Sequence, residues 1–194
     1  FDKIIPNLVP VEGAGALCNF QVSLRPRTDD VAPKSARRSE VLTFNSGGSG
    51  ARPTSDGLNS TAFPSGVMTM PIEATENAGP VIIWRKELRA DSGGAGKYRG
   101  GLGQYMEVGA VEGHEFDFQA MFDRVDHPAR GRQGGADGAP TTIARSDGVK
   151  MRGKGKQFVP HGARVKLAFP GGAGFGDAKD RDPTLVKRDL ARGY

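Results

Sequence analysis

Thirteen consecutive residues carry the densest chemical signal in the chain: Asp91-Ser92-Gly93-Gly94-Ala95-Gly96-Lys97-Tyr98-Arg99-Gly100-Gly101-Leu102-Gly103. Backbone N–H groups in a glycine-rich turn can form an anion nest, and Lys97 and Arg99 add positive charge suited to a phosphate or carboxylate. The G-x-x-x-x-G-K-[ST] order of a nucleotide-binding loop is missing, and the run does not open a helix after a parallel strand. The plainer alternative is a tight connection whose glycines supply positive φ. A second run, Phe169-Pro170-Gly171-Gly172-Ala173-Gly174-Phe175-Gly176-Asp177, offers the same choice between close approach of a ligand or another chain and a structural turn.

Other constellations are weaker. Asp123, Asp126 and His127 combine carboxylate and imidazole, which suits a divalent ion. A continuing strand would send the two aspartates to opposite sides, which favours a solvated strand end. His114, His127 and His161 show no H-x-x-x-H or H-E-x-x-H spacing, and the single cysteine, Cys18, excludes an internal disulfide and any Cys-built zinc site. No metal ligand set is expected in this segment. Glu73 and Glu76 share a face if they lie on a helical turn, as an acid/base pair or as a charged surface turn. Ser92 beside Asp91 has no histidine near it in sequence, so a Ser-His-Asp reading has no support. Lys150, Arg152, Lys154 and Lys156 alternate and could track a phosphate backbone. Stacking aromatics are not interleaved with them, so an edge-protecting strand is the default.

These residues need elements to hold them. The 194 residues fit one domain, with 29 Gly and 13 Pro pointing to many turns and a hydrophobic fraction of 37 % that is ordinary for a folded protein. No run approaches the ~18 apolar residues of a membrane helix. The net charge of +5 is concentrated after residue 144, where 12 Lys/Arg face 5 Asp/Glu. Residues 25–57 show no apolar periodicity and read as loop or extended chain. Val81–Trp84, Phe116–Phe122 and Arg164–Phe169 have strand patterns, with Tyr105–Val111 and Thr141–Arg145 weaker. Gly-rich turns between them predict a mainly β, antiparallel body. One helix is signalled at the C-terminus, with Asp182 as cap, Pro183 at its first position, Gly193 at its stop, and an apolar face of Leu185, Val186 and Leu190.

Taken in order, several motifs resemble the C-terminal region of the hydantoinase B/oxoprolinase family. They are Gly47-Gly48-Ser49-Gly50-Ala51-Arg52 with Asp56-Gly57, Pro71-Ile72-Glu73 with Glu76, the 91–103 run, Asp123-Arg124, and Gly134-Gly135 with Gly138. The 170–177 run and Arg181-Asp182-Pro183 with Asp189 complete the series. Ala173 stands where the family usually has Gly, and Ala178 where it usually has Pro.

The resemblance implies that residues 1–194 are a piece of a longer B-type chain, whose metal-binding His/Asp motifs lie upstream. The first residue, Phe1, and the end at Gly193-Tyr194 fit that expectation. It also implies an A-type partner that uses ATP and Mg²⁺ to phosphorylate a cyclic amide, after which the B-type part completes hydrolysis in the cytoplasm. A ketone carboxylase is the alternative within the family. A non-catalytic basic β-domain for subunit contact or nucleic-acid binding is the alternative outside it, with nucleic acid disfavoured. Catalytic candidates are then Glu73, Asp91, Arg99 and Asp123, and substrate- or phosphate-binding candidates are Ser92, Gly93, Gly94, Lys97 and Arg124.

Overall fold

Period-two burial organises the chain in the computed structural model, which describes residues 3–27, 38–62, 66–67 and 70–194. Among these residues lie β1 (Phe20–Pro26), β2 (Ser39–Thr43), β3 (Val81–Leu88), β4 (Gln104–Ala110), β5 (His114–Met121), β6 (Thr142–Arg145), β7 (Lys154–Val159) and β8 (Val165–Ala168). They form two antiparallel four-stranded sheets, ordered β2-β1-β5-β7 and β3-β4-β8-β6. Phe20, Val22, Leu24, Phe116, Phe118 and Val159 from the first sheet share one buried cluster with Val81, Met106, Val108, Val165 and Leu167 from the second. Alternate residues therefore point into a common core, and the antiparallel β expectation holds.

Two local readings change. The 25–57 stretch, of which residues 28–37 lie outside the described residues, contains the end of β1 and all of β2, an edge strand whose inward residues are only Val41 and Thr43. Two inward residues are too few to leave a visible pattern. The cationic alternation becomes β7 only from Lys154, at the edge of its sheet, where Lys156 pairs with Asp117 at 3.0 Å.

The helices are short. The first, α1 (Ile72–Asn77), makes Glu73–Glu76 a helical turn, with Glu76 Oε1 accepting from the Ile83 N–H at 2.8 Å. The C-terminal helix α2 (Pro183–Ala191) has the expected cap, with Asp182 accepting from the Thr184 N–H at 2.8 Å, and Gly193 at φ +68°. Its apolar face is not what it buries. Leu190 is 72 % and Val186 40 % exposed, and the helix residue that is buried is Asp189. Among the described residues no helix is long and apolar enough to cross a membrane.

A second body of structure has neither helix nor strand assignment. Residues 170–175 run extended, and the N–H groups of 171–175 donate in a cycle of three. Gly171 and Gly174 donate to Ala139 and Ala136, Gly172 and Phe175 to Gly101 and Tyr98, and Ala173 to Glu12. The carbonyls of 170–176 in turn accept from Gly48, Ala51, Gly94, Lys97 and Arg132. Three residues per turn without internal bonds is the geometry of a polyproline-II-type helix, here bonded laterally to segments on all sides. Every such backbone group must find a partner once buried, and adjacent extended segments supply it.

This packing explains the glycines and corrects the turn reading. Within the 91–103 and 170–177 runs, Gly176 is the one glycine with positive φ. The others are required by proximity: a Cβ on Gly172 would overlap the Ser49 carbonyl, on Gly171 the Ser92 carbonyl, and on Gly100 the Gly172 carbonyl. Ala173 fits because its methyl points into a small buried cluster with Val11, Ala51, Ala129 and Phe175. Phe169 joins this glycine body to the sheet core, its ring 5.6 Å from that of Phe122.

Gly172→Ala should therefore destabilise the protein by ~3 kcal/mol or more, since a backbone oxygen rather than a flexible side chain stands in the way. Gly148→Ala, at φ +87° with open space around it, should cost only ~1–2 kcal/mol. Denaturant unfolding of the two variants checks the difference; equal losses would refute the packing argument.

Candidate functional site

The glycine body engages many of the backbone donors of the 91–103 run. In the 91–103 run the N–H of Gly94 donates to Gly172, Gly100 to Gly94 and Gly101 to Ser49, all to carbonyl oxygens. Arg99 N–H donates to Asp56 Oδ1 at 3.0 Å and Leu102 N–H to Asn59 Oδ1 at 3.0 Å. Ser92 is buried, its hydroxyl donating to the Arg89 carbonyl and accepting from the Gly103 N–H. These donors hold neighbouring segments together and are not free to form an anion nest.

Side chains of the same run meet α2 in an ionic cluster. Arg181 makes a two-pronged pair with Asp56, at 2.8 and 3.0 Å, and also reaches Asp189 at 2.5 Å. Arg99 Nε donates to Asp189 Oδ2 at 3.0 Å, its Nη1 to Asn59 Oδ1 at 3.1 Å, and its guanidinium lies over the Tyr194 ring. Arg188 reaches both carboxylates. Burial alone would raise both aspartates, but hydrogen bonds and charge from Arg181 and Arg99 outweigh it and hold both carboxyls below their ordinary range. The sequence reading named Arg99 for chemistry; its partners Asp56, Arg181 and Asp189 appeared only among matching motif positions.

A hollow of ≈ 280 Å³ beneath α2 is lined by Asp91, Gly93, Arg99, Arg181 and Asp189, among others. Asp91 stands exposed at its rim with φ +54°, a conformation that costs a non-glycine residue energy. Lys97 is exposed beside the Tyr98 ring, and Gly94 is buried against Ala136.

The remaining candidates lie elsewhere. Glu73 is exposed on α1. Asp123 pairs with Lys154 at 2.6 Å, a bond that lowers its carboxyl together with the Ala16 N–H and Arg124. Arg124, at φ +60°, pairs with Glu12 at 2.9 Å and lines a separate ≈ 410 Å³ cleft with Arg52 and residues of the 13–17 and 46–50 segments. The proposed catalytic residues are thus distributed over three places.

Glu12 went unnoticed in the sequence, where nothing around it signals chemistry. It accepts from Arg124, Arg130 and Arg132. Partial burial opposes ionisation, but the Arg130 hydrogen bonds and the arginine charges bring its pKa down to about 2. Cys18 is buried and its thiol is pushed up to about 12, so it is an unreactive core residue. Among the described residues no three His, Cys, Asp or Glu side chains gather as a metal site.

Known proteins place this geometry in context. The family model described as "Hydantoinase B/oxoprolinase" matches residues 1–178. The putative B-type subunit of a D-/L-hydantoinase from Pseudomonas sp. is 28 % identical over 76 % of this chain and 26 % of its own length. The solved ATP-dependent acetone carboxylase superposes with a TM-score of 0.73 over 94 % of this chain and 29 % of that one, at 22 % identity. The ATP-dependent caprolactamase of Pseudomonas jessenii gives 0.70 over 99 % and 34 %, at 23 % identity. The chain spans only 22–28 % of the length of the first curated relatives that it matches.

Two outcomes follow from the ionic geometry. Asp189→Ala leaves Arg99 and Arg181 without their carboxylate and should cost ~3 kcal/mol at pH 7, read from denaturant unfolding. Carboxyls held low when folded contribute stability above their unfolded pKa and lose it as pH falls through the folded value. For Glu12 that window runs from 4.5 down to about 2. Glu12→Gln should therefore flatten the fall of stability with pH in that window relative to the parent; an unchanged slope would remove Glu12 as its source.

Proposed function

The chain belongs to the hydantoinase B/oxoprolinase family, and we propose that it forms part of the B-type subunit of an ATP-dependent cyclic-amide hydrolase. An A-type partner subunit would phosphorylate the ring amide with ATP and Mg²⁺, and the B-type subunit would complete ring opening in the cytoplasm. Moving a phosphoryl group onto the amide oxygen removes the resonance that protects the C–N bond and leaves the carbon open to water. The observation that carries the reading is the family match over most of the chain, with a hydantoinase and a caprolactamase among the relatives.

Within that enzyme the glycine body and the ionic cluster act as positioning structure. Arg99 is held on two sides, by Asp189 and Asn59, and so fixes α2 against the glycine segments rather than reaching outward. Asp91 is the candidate left exposed at a hollow and free to meet substrate or the rest of the polypeptide. The carboxylase alternative is supported by the acetone carboxylase likeness, and the assay separates it.

The test measures phosphate release from ATP by the complete B-type polypeptide with its A-type partner. Lactams, hydantoins and simple ketones are supplied with and without bicarbonate. Stimulation by a cyclic amide without bicarbonate is expected; stimulation only by a ketone with bicarbonate would overturn the hydrolase reading. Asp91→Asn should lower turnover while melting temperature and assembly stay unchanged. Turnover equal to the parent would leave this segment a purely structural role.

A further inference from the structure

The cleft away from the ionic cluster has its own chemistry. Its ≈ 410 Å³ lies in the size range of small-molecule sites, and its lining includes Arg52 and Arg124 but no acidic residue. Arg52 is half-buried and makes one side-chain hydrogen bond, from Nη2 to the Asp56 carbonyl at 3.1 Å. Its Nε is buried with no hydrogen-bond partner, and no carboxylate among the described residues pairs with it. This contrasts with Arg99, Arg181 and Arg188, each of which meets an aspartate.

The second arginine is held differently. Arg124 gives Nη1 to Glu12, and its backbone sits in the left-handed region at φ +60°. Strained backbone of this kind is retained where the surroundings fix it, often at ligand clamps. Gly15, at φ +86°, borders it: a Cβ there would make ordinary contact with Arg124 Nε at 3.5 Å and with Asp123 Oδ2 at 3.6 Å.

We propose that this cleft binds the oxyanion of a small molecule, a carboxylate or a phosphate, with the Arg52 guanidinium as its principal contact and Arg124 as its flanking charge. Since Nε is enclosed, the outer Nη edge of this planar guanidinium is the one that can meet a carboxylate or phosphate through paired N–H···O bonds. The cleft lies apart from the hollow beneath α2, so the inference stands whichever substrate the enzyme processes.

Equilibrium dialysis of the complete polypeptide with its partner, first against inorganic phosphate and then against acetate, tests it at low ionic strength. Phosphate sites elsewhere in the complex are common to all variants, so the difference between parent and variant isolates the cleft. One saturable site per chain is expected in the parent, weakened at least ~10-fold in Arg52→Gln and less in Arg52→Lys, which keeps charge but loses the fork. Retention by phosphate alone identifies a phosphate site, by acetate alone a carboxylate site, and by both a general oxyanion site. If Arg52→Gln does not fold, Ala62→Glu, which sets a carboxylate on the cleft wall, should abolish the same site. Equal anion binding by the parent and the folded variants would overturn the proposal.

Discussion

Gly171, Gly172 and Gly174 are enclosed so closely that their neighbours' carbonyl oxygens occupy the space where side chains would begin. The closeness is a consequence of lateral hydrogen bonding: an extended helix with three residues per turn sends N–H groups in three directions, and each must reach another backbone. Glycine at Gly171, Gly172 and Gly174 is the condition for that contact, and the same condition falls on Gly48, Gly94, Gly100 and Gly101 across from them. The segments from 12, 48–51, 94–101 and 132–139 are therefore mutually dependent, since moving one removes partners from the others. The sheets add a conventional apolar core, coupled to this body through Phe122 and Phe169.

A body made of backbone buries little apolar side-chain surface, and its margins are secured by charge. At one margin Asp56 and Asp189 hold three arginines and draw α2 onto the 91–103 run, so the buried residue of that helix is a carboxylate. At another, Glu12 gathers Arg124, Arg130 and Arg132. In both places one carboxylate satisfies several guanidinium groups, which keeps partly buried charge paired. The same arrangement sorts the arginines by role. Those tied to aspartate hold segments in place, whereas Arg52 faces a cleft without such a partner.

In the proposed enzyme this chain is a rigid frame for the groups that meet it. The frame's hollow beneath α2 and its arginine-lined cleft are separate concavities on one scaffold. A frame whose positions are set by backbone contact has little freedom to shift. That suits precise placement of groups supplied by other segments or by a partner subunit.

The sequence alone determined β3 to β6, β8 and the family, and left β1 unread. Phe116, Phe118, Ala120 and Phe122 alternate with polar residues, so period two and its buried face were legible, as was the cap and stop of α2 at Asp182 and Gly193. The glycine motifs were legible as a family signature but not as a structure, because glycine serves positive φ and close approach with the same letter. β2 was hidden because an edge strand with two inward residues leaves no pattern. The site was least legible: Arg99 stood out by its company of glycines, while Glu12, more than a hundred positions from its arginine partners, carried no local signal. Which arginine meets which carboxylate depends on distances between segments remote in the chain. Those distances exist only once the extended segments have packed, and that was decided by the tertiary structure.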